Sequence, residues 1–217
     1  MGLQMQNDNI INKLIAAGEK ITNGTISTMV SESKCYTNSL NIQISFSYAS
    51  KLVNLNWNDI LFSIENNYFH HSAGMDYAAT LINENTREND PIFKLACLFP
   101  SEIIKQEVLD QFIVKFAEQV SEKDKFESKE KIMYIVMNWL FENKDYFENI
   151  YTVLEYIYDN FSYPYHVDSL ATSISFASPY PSGEEPDLNT TFNSYEDKII
   201  YTWQKYLQEQ KLKFGKT

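Results

Sequence analysis

The residues best suited to chemistry are three histidines and two cysteines, and their spacing decides what chemistry is open to them. His70-His71, with Glu65 and Asp76 nearby, has the residue types of a metal site. Metal ligands need fixed geometry and supporting partners, and this pair has neither an H-E-x-x-H frame nor a third ligand at a recognised spacing. It reads as a surface loop pair. His166 with Asp168 has the composition of an acid and base pair, but a dyad needs a shaped pocket, so the plainer reading is solvent exposure. Cys35 and Cys97 read as reduced, buried thiols, since two cysteines cannot make a structural zinc site unaided. The six glycines, at 2, 18, 24, 74, 183 and 215, are too widely spaced for a dinucleotide fingerprint or a phosphate loop. No G-x-S-x-G elbow is present either. The expectation is a protein that is not an enzyme and takes no cofactor and no metal.

Charge and aromatic residues carry more information. The net charge is −11, and from Glu142 to Asp197 eleven acidic residues stand against Lys144 alone. Twelve aromatic residues share that interval. Nucleic acid is a poor partner for such a surface, because phosphate contacts need clustered Lys and Arg, whereas a basic protein is a good one. At helical spacing, Glu148, Thr152, Glu155 and Asp159 form one stripe with Tyr156 beside it. Carboxylates that steer and tyrosines that anchor are what an interface with a basic partner uses, so these five are candidate partner-binding residues. Glu184, Glu185 and Asp187, in a Pro, Ser and Gly-rich stretch from Ser178 to Asn193, are added as long-range contributors. The competing reading is a solvated helix face.

The stripe must be positioned by the stretch from Lys131 to Phe161. Ile132 to Phe141 is apolar nearly all round a helix, so other elements must enclose it, and it is too short to cross a bilayer. Ile135, Val136, Trp139 and Leu140 are expected among the most buried residues. A polar turn from Glu142 to Asp145 follows, and then Phe147, Ile150, Tyr151, Leu154, Ile157, Tyr158 and Phe161 recur on one helical face. Two helices joined by so short a turn pack antiparallel.

The remainder divides into an N-terminal extension, 1–45, and a helical domain, 46–217. In the extension a short helix from Asp8 to Ile21 precedes a strand pair, Thr25 to Val30 and Leu40 to Tyr48, the second alternating apolar and polar residues. Further helices are expected from Trp57, from Ala73 to Leu81, after the Asp90 cap, after Ser101, and from Tyr195 to Phe214. Ser121 to Lys131 alternates in charge and reads as a solvated loop or helix end. The fold expected is mainly α, antiparallel helical hairpins packed in one domain with a small N-terminal β-strand pair. The first thirty residues contain no apolar h-region and no myristoylation signal, which points to the cytoplasm and away from the membrane. Ile64-Glu65-Asn66-Asn67-Tyr68-Phe69 is echoed by Phe141-Glu142-Asn143-Lys144-Asp145-Tyr146-Phe147, each closing one helix before the next begins.

Leu55-Asn56-Trp57, Glu65-Asn66-Asn67-Tyr68, the run Asn138 to Asp145, Ile157-Tyr158-Asp159-Asn160-Phe161 with Tyr163-Pro164, and Trp203 to Leu207 together resemble a bacterial family catalogued as domain of unknown function 2247. The resemblance brings no activity with it. It implies a small, soluble bacterial protein whose relatives occur near secreted polymorphic toxins. Joined to the acidic stripe, it leads to an immunity-type protein that neutralises a cognate toxin, a basic protein domain, by stoichiometric occlusion. The alternatives are a cytoplasmic regulatory or scaffold helical-repeat protein and, last, an enzyme with an unrecognised carboxylate site.

Overall fold

Helices begin where the sequence supplies a side-chain oxygen to take up free backbone N–H groups. Asn9, Thr22, Ser45, Asn56, Asp90, Ser121 and Asn149 each cap a helix in this way. The computed structural model describes residues 9–98, 105–162 and 195–216. Their helices are α1 (Ile10–Ala16), α2 (Asn23–Glu32), α3 (Phe46–Leu52), α4 (Trp57–Glu65), α5 (Ser72–Leu81) and α6 (Pro91–Ala96). Next come α7 (Lys105–Val108) and α8 (Val114–Ala117), joined by a π turn (Leu109–Ile113), then α9 (Glu122–Asn143), α10 (Ile150–Asn160) and α11 (Tyr195–Phe214).

No β-strand forms among the described residues, so the expected N-terminal strand pair is corrected. Its first member, Thr25 to Val30, lies inside α2, where the Thr22 cap sets the helix and Ile26 is buried. Its second member begins in a turn at Leu40, passes through Asn41 with a left-handed φ of 48°, and ends at Ile44, because Ser45 caps α3. The alternation there is real, since Leu40, Ile42 and Ile44 all enter the core. What the segment lacks is a partner strand, and two asparagine side chains and one backbone carbonyl supply the bonds a ladder would have made. The buried Asn38 amide donates to Ile42 O at 2.9 Å and its oxygen accepts from Ile42 N at 2.9 Å. Asn12 Nδ2 donates to Gln43 O at 2.7 Å, and Ile44 N donates to Tyr68 O at 2.8 Å.

The core is built on α9. Ile132 to Met137 are all buried, as a helix that is apolar all round requires. Ile135, Val136 and Leu140 are fully enclosed, but Trp139, expected beside them, is only half-buried. The indole at the centre of the packing is instead Trp203 of α11, 0% exposed and edge-on to Phe141 with ring centroids 5.1 Å apart. The helix also starts earlier than expected: Ser121 is its cap, and the charge-alternating residues up to Lys131 are its first turns. A 3-10 turn (Lys144–Tyr146) reverses the chain into α10, and Lys129 Nζ donates to Ser162 Oγ at 3.3 Å, tying the first half of α9 to the end of α10. On α11, Lys213 pairs with Glu130 at 2.7 Å.

The turns after α4 and α9 are built alike. Asn66 Nδ2 donates to Phe62 O at 2.7 Å, and Asn143 Nδ2 donates to Trp139 O at 2.8 Å. The next tyrosine carbonyls, Tyr68 O and Tyr146 O, each accept at 2.8 Å from an isoleucine N–H, that of Ile44 and that of Ile21. Each isoleucine directly precedes a helix cap, Ser45 or Thr22, and each turn ends on a buried phenylalanine, Phe69 or Phe147. The echo in the sequence is therefore one turn design used twice.

Candidate functional site

Asn149 accepts from the N–H groups of Tyr151 and Thr152 at 3.0 and 3.3 Å and so starts α10. Ile150, Val153, Leu154, Ile157 and Tyr158 turn inward and are buried. Helical period then leaves Tyr151, Thr152, Glu155, Tyr156 and Asp159 on the outer side. Glu155 and Asp159 are exposed, and Thr152, Tyr151 and Tyr156 are half-buried. Neither carboxylate has an ion-pair partner among the described residues. The first turn of α11 brings two more, Glu196 and Asp197, both exposed. Burial raises the pKa of Tyr151, and the nearby charges of Glu196 and Asp197 raise it further, so its hydroxyl stays protonated. Glu196 and Asp197 therefore lie near a protonated, half-buried phenol, on the helix that also exposes Glu155 and Asp159. Sequence reasoning missed Glu196 and Asp197 because only the docking of α11 brings them to Tyr151.

Glu148 occupies a different setting from the rest of the predicted stripe. It precedes α10, and its Oε2 accepts from Asn23 N at 2.8 Å at the start of α2, while its own N–H donates to Ile21 O at 2.9 Å. A carboxylate there also meets the positive end of the α2 dipole. Glu148 thus fastens the N-terminal segment to the reversal between α9 and α10. Glu184, Glu185 and Asp187 lie outside the described residues, as do His166 and Asp168.

The rings of His70 and His71 lie side by side, tilted by 40°, with centroids 4.0 Å apart. His70 Nδ1 accepts from Ser72 N at 3.3 Å and lies 2.9 Å from Ser72 Oγ. Partial burial lowers the His70 pKa, His71 lowers it further, and Asp76 opposes both. Among the described residues no group of three or more His, Cys, Asp or Glu side chains is placed to hold a metal ion. Cys97 is exposed and Cys35 half-buried, which corrects the expectation of two buried thiols; both are free.

One buried polar centre was not anticipated. Asp59 of α4 is 0% exposed, and its Oδ2 accepts from Lys131 Nζ at 2.7 Å and from Asn56 N at 2.8 Å. Its Oδ1 accepts from Ser128 Oγ at 2.6 Å, and Ser128 Oγ in turn accepts from Asn58 Nδ2 at 2.9 Å. Lys131 Nζ also donates to Asn54 O at 3.3 Å. The Ser128 hydroxyl is directed to Asp59, and the lysine is held by the same carboxylate, so Ser and Lys are joined through Asp59 and not to one another. The arrangement is a cross-link between α4 and α9. The signal for half of it was present in the spacing of Asn56 and Asp59, a capping box. The Lys131 half depends on a contact across 72 residues and leaves no local mark.

No helix among the described residues is long and apolar enough to cross a membrane. No curated protein and no solved structure matches the chain. Residues 46–211 match the family model described as an uncharacterized protein conserved in bacteria, DUF2247.

Proposed function

We propose that the chain, which belongs to the DUF2247 family of bacterial proteins, is an immunity-type protein that binds a cognate polymorphic toxin and neutralises it by stoichiometric occlusion. The partner is a basic protein domain, and the reaction is association alone. The observation that carries this reading is the outer side of α10, where Glu155 and Asp159 are exposed without ion-pair partners among the described residues, beside the half-buried Tyr151 and Tyr156. Glu196 and Asp197 extend the negative field. Charge of this kind accelerates encounter with a basic surface, and half-buried tyrosines supply rigid contact area once encounter has occurred. The family match supports a bacterial setting.

Protection of cells is the direct test. A toxin domain encoded beside this gene is expressed with the wild-type chain and with Glu155→Lys/Asp159→Lys. Survival with the wild type, and death with a variant of unchanged melting temperature, is the expected result. Equal protection by both moves the interface away from α10, and no protection by the wild type removes the immunity reading. In that case a regulatory or scaffold role in the cytoplasm is next, favoured by the duplicated helix-to-helix turn.

A further inference from the structure

An open groove of about 520 Å³ lies between α6 and the helix running through α7, the π turn and α8. Half-buried Phe112 and Phe116 form its apolar surface, and exposed Lys94, Lys115, Gln111 and Gln119 surround them. Among the described residues that line it none is acidic, in a chain of net charge −11. Neither lysine has an ion-pair partner among the described residues.

The groove is a constructed feature. The π turn admits an extra residue, with Val114 N donating to Leu109 O, and such turns recur at functional sites. Here it directs Ile113 inward while its neighbour Phe112 borders the groove. Ile113 fits because α5 presents Gly74, where an added Cβ would lie 2.5 Å from Ile113 Cδ1. Behind the groove, the Phe116 ring packs on Trp57 at 4.6 Å, and Trp57 meets Tyr77 at 4.6 Å. The apolar surface is thereby held by a run of aromatic rings reaching into the molecule.

We propose that this groove binds a small organic anion with a flat apolar body. The body lies against Phe112 and Phe116, its carboxylate or phosphate lies between Lys94 and Lys115, and the amides of Gln111 and Gln119 complete the polar contacts. The volume falls in the usual range for small-ligand sites. A protein partner fits less well, because interfaces engage about 20 to 30 residues a side, whereas the described residues lining this groove come to seven. Nucleic acid fits least, since two lysines set in an acidic chain give little phosphate neutralisation. The proposal rests on residues apart from α10 and stands or falls without the immunity reading.

The full chain is titrated with the aromatic anion 8-anilinonaphthalene-1-sulfonate and with N-phenyl-1-naphthylamine, which has the same rings and no charge. The expected result is one anionic dye per chain, weakened by salt, with the neutral dye bound at least about tenfold more weakly, a loss of one ionic contact. Lys94→Glu/Lys115→Glu should weaken the anionic dye by at least about tenfold, and Phe112→Ala should weaken both dyes. Lys198→Glu, outside the groove, should change neither. Equal affinity for the two dyes, several weak dye sites per chain, or wild-type binding by a folded Lys94→Glu/Lys115→Glu variant would overturn the proposal. Circular dichroism melting of each variant separates loss of the site from loss of the fold.

Discussion

Asp59 keeps its place in the core because both of its oxygens are occupied: Oδ1 by Ser128, Oδ2 by Lys131 and the Asn56 N–H. A buried pair of this kind contributes little over a well-packed apolar pair, but removing one member strands the other's charge in a medium that solvates it poorly. Lys131→Met should therefore cost about 3 to 5 kcal/mol in denaturant unfolding. Adding Asp59→Asn to it should cost much less than the sum of the two single losses, because the stranded carboxylate is then gone. Additive losses would show that the two residues act separately. At His70 the argument runs through protons. Its pKa is lowered by burial, so over the range between the folded value and the ordinary one of about 6.5 the unfolded chain binds more protons than the folded chain. Stability then rises with pH across that window and is lost as pH falls through it, as protonation of Nδ1 ends its role as acceptor for Ser72. His70→Gln should flatten this part of the profile of melting temperature against pH, and an unchanged slope would assign the pH dependence to other groups.

At the scale of elements, what could be read in the sequence is what is local. Caps at Asp90 and the apolar period of α10 were visible because each depends on neighbours within a few residues. The all-round apolar run of α9 implied enclosure, and enclosure is what Ile132 to Met137 show. Leu40 to Ile44 alternate as a strand does, yet whether a second strand lies beside them is a tertiary fact, and Asn38, Asn12 and Tyr68 took that place. Trp139 is expected among the most buried residues, and only the docking of α11 along α9 makes Trp203 the enclosed indole instead. The same limit hid Glu196 and Asp197 from the acidic stripe and hid the tie from Glu148 to α2. Residues that carry the family resemblance, Asn56, Asn66, Tyr68, Asn143 and Asn160, serve as caps, turns and cross-braces. The duplicated turn yields a paired prediction. Asn66→Ala and Asn143→Ala each remove a half-buried side-chain bond to the preceding turn, and Asn66 also accepts from Thr37 Oγ1, so Asn143→Ala, and Asn66→Ala measured in a Thr37→Val background, should each cost about 1 kcal/mol. Matching losses in chemical denaturation would confirm equivalent roles, and a neutral effect at either site would reduce the likeness to sequence alone.

For the molecule as a whole, net charge sets how it meets a partner and leaves the fold nearly untouched. Its carboxylates are not interchangeable in this respect. Reversing Glu148 would place a lysine against the Asn23 N–H and the positive end of α2, so Glu148→Lys should lower the melting temperature and is a poor probe of binding. Glu155 and Asp159 are exposed and have no ion-pair partner among the described residues, and reversing them should change stability by less than about 0.5 kcal/mol. Against a basic toxin domain, Glu155→Lys/Asp159→Lys turns two attractive charges into repulsive ones. The association rate should fall by about tenfold at low salt, with a much smaller difference at high salt where the field is screened. Tyr156 acts on the other rate. It carries no charge and is half-buried, so Tyr156→Ala removes contact area and should speed dissociation while the association rate and its salt dependence stay as they were. Surface-binding kinetics at two ionic strengths separate these effects, since steering appears only in association and contact only in dissociation. If both variants alter the same rate to the same extent, charge and contact are not divided between these side chains. If neither alters either rate, α10 presents a solvated face and the partner binds elsewhere.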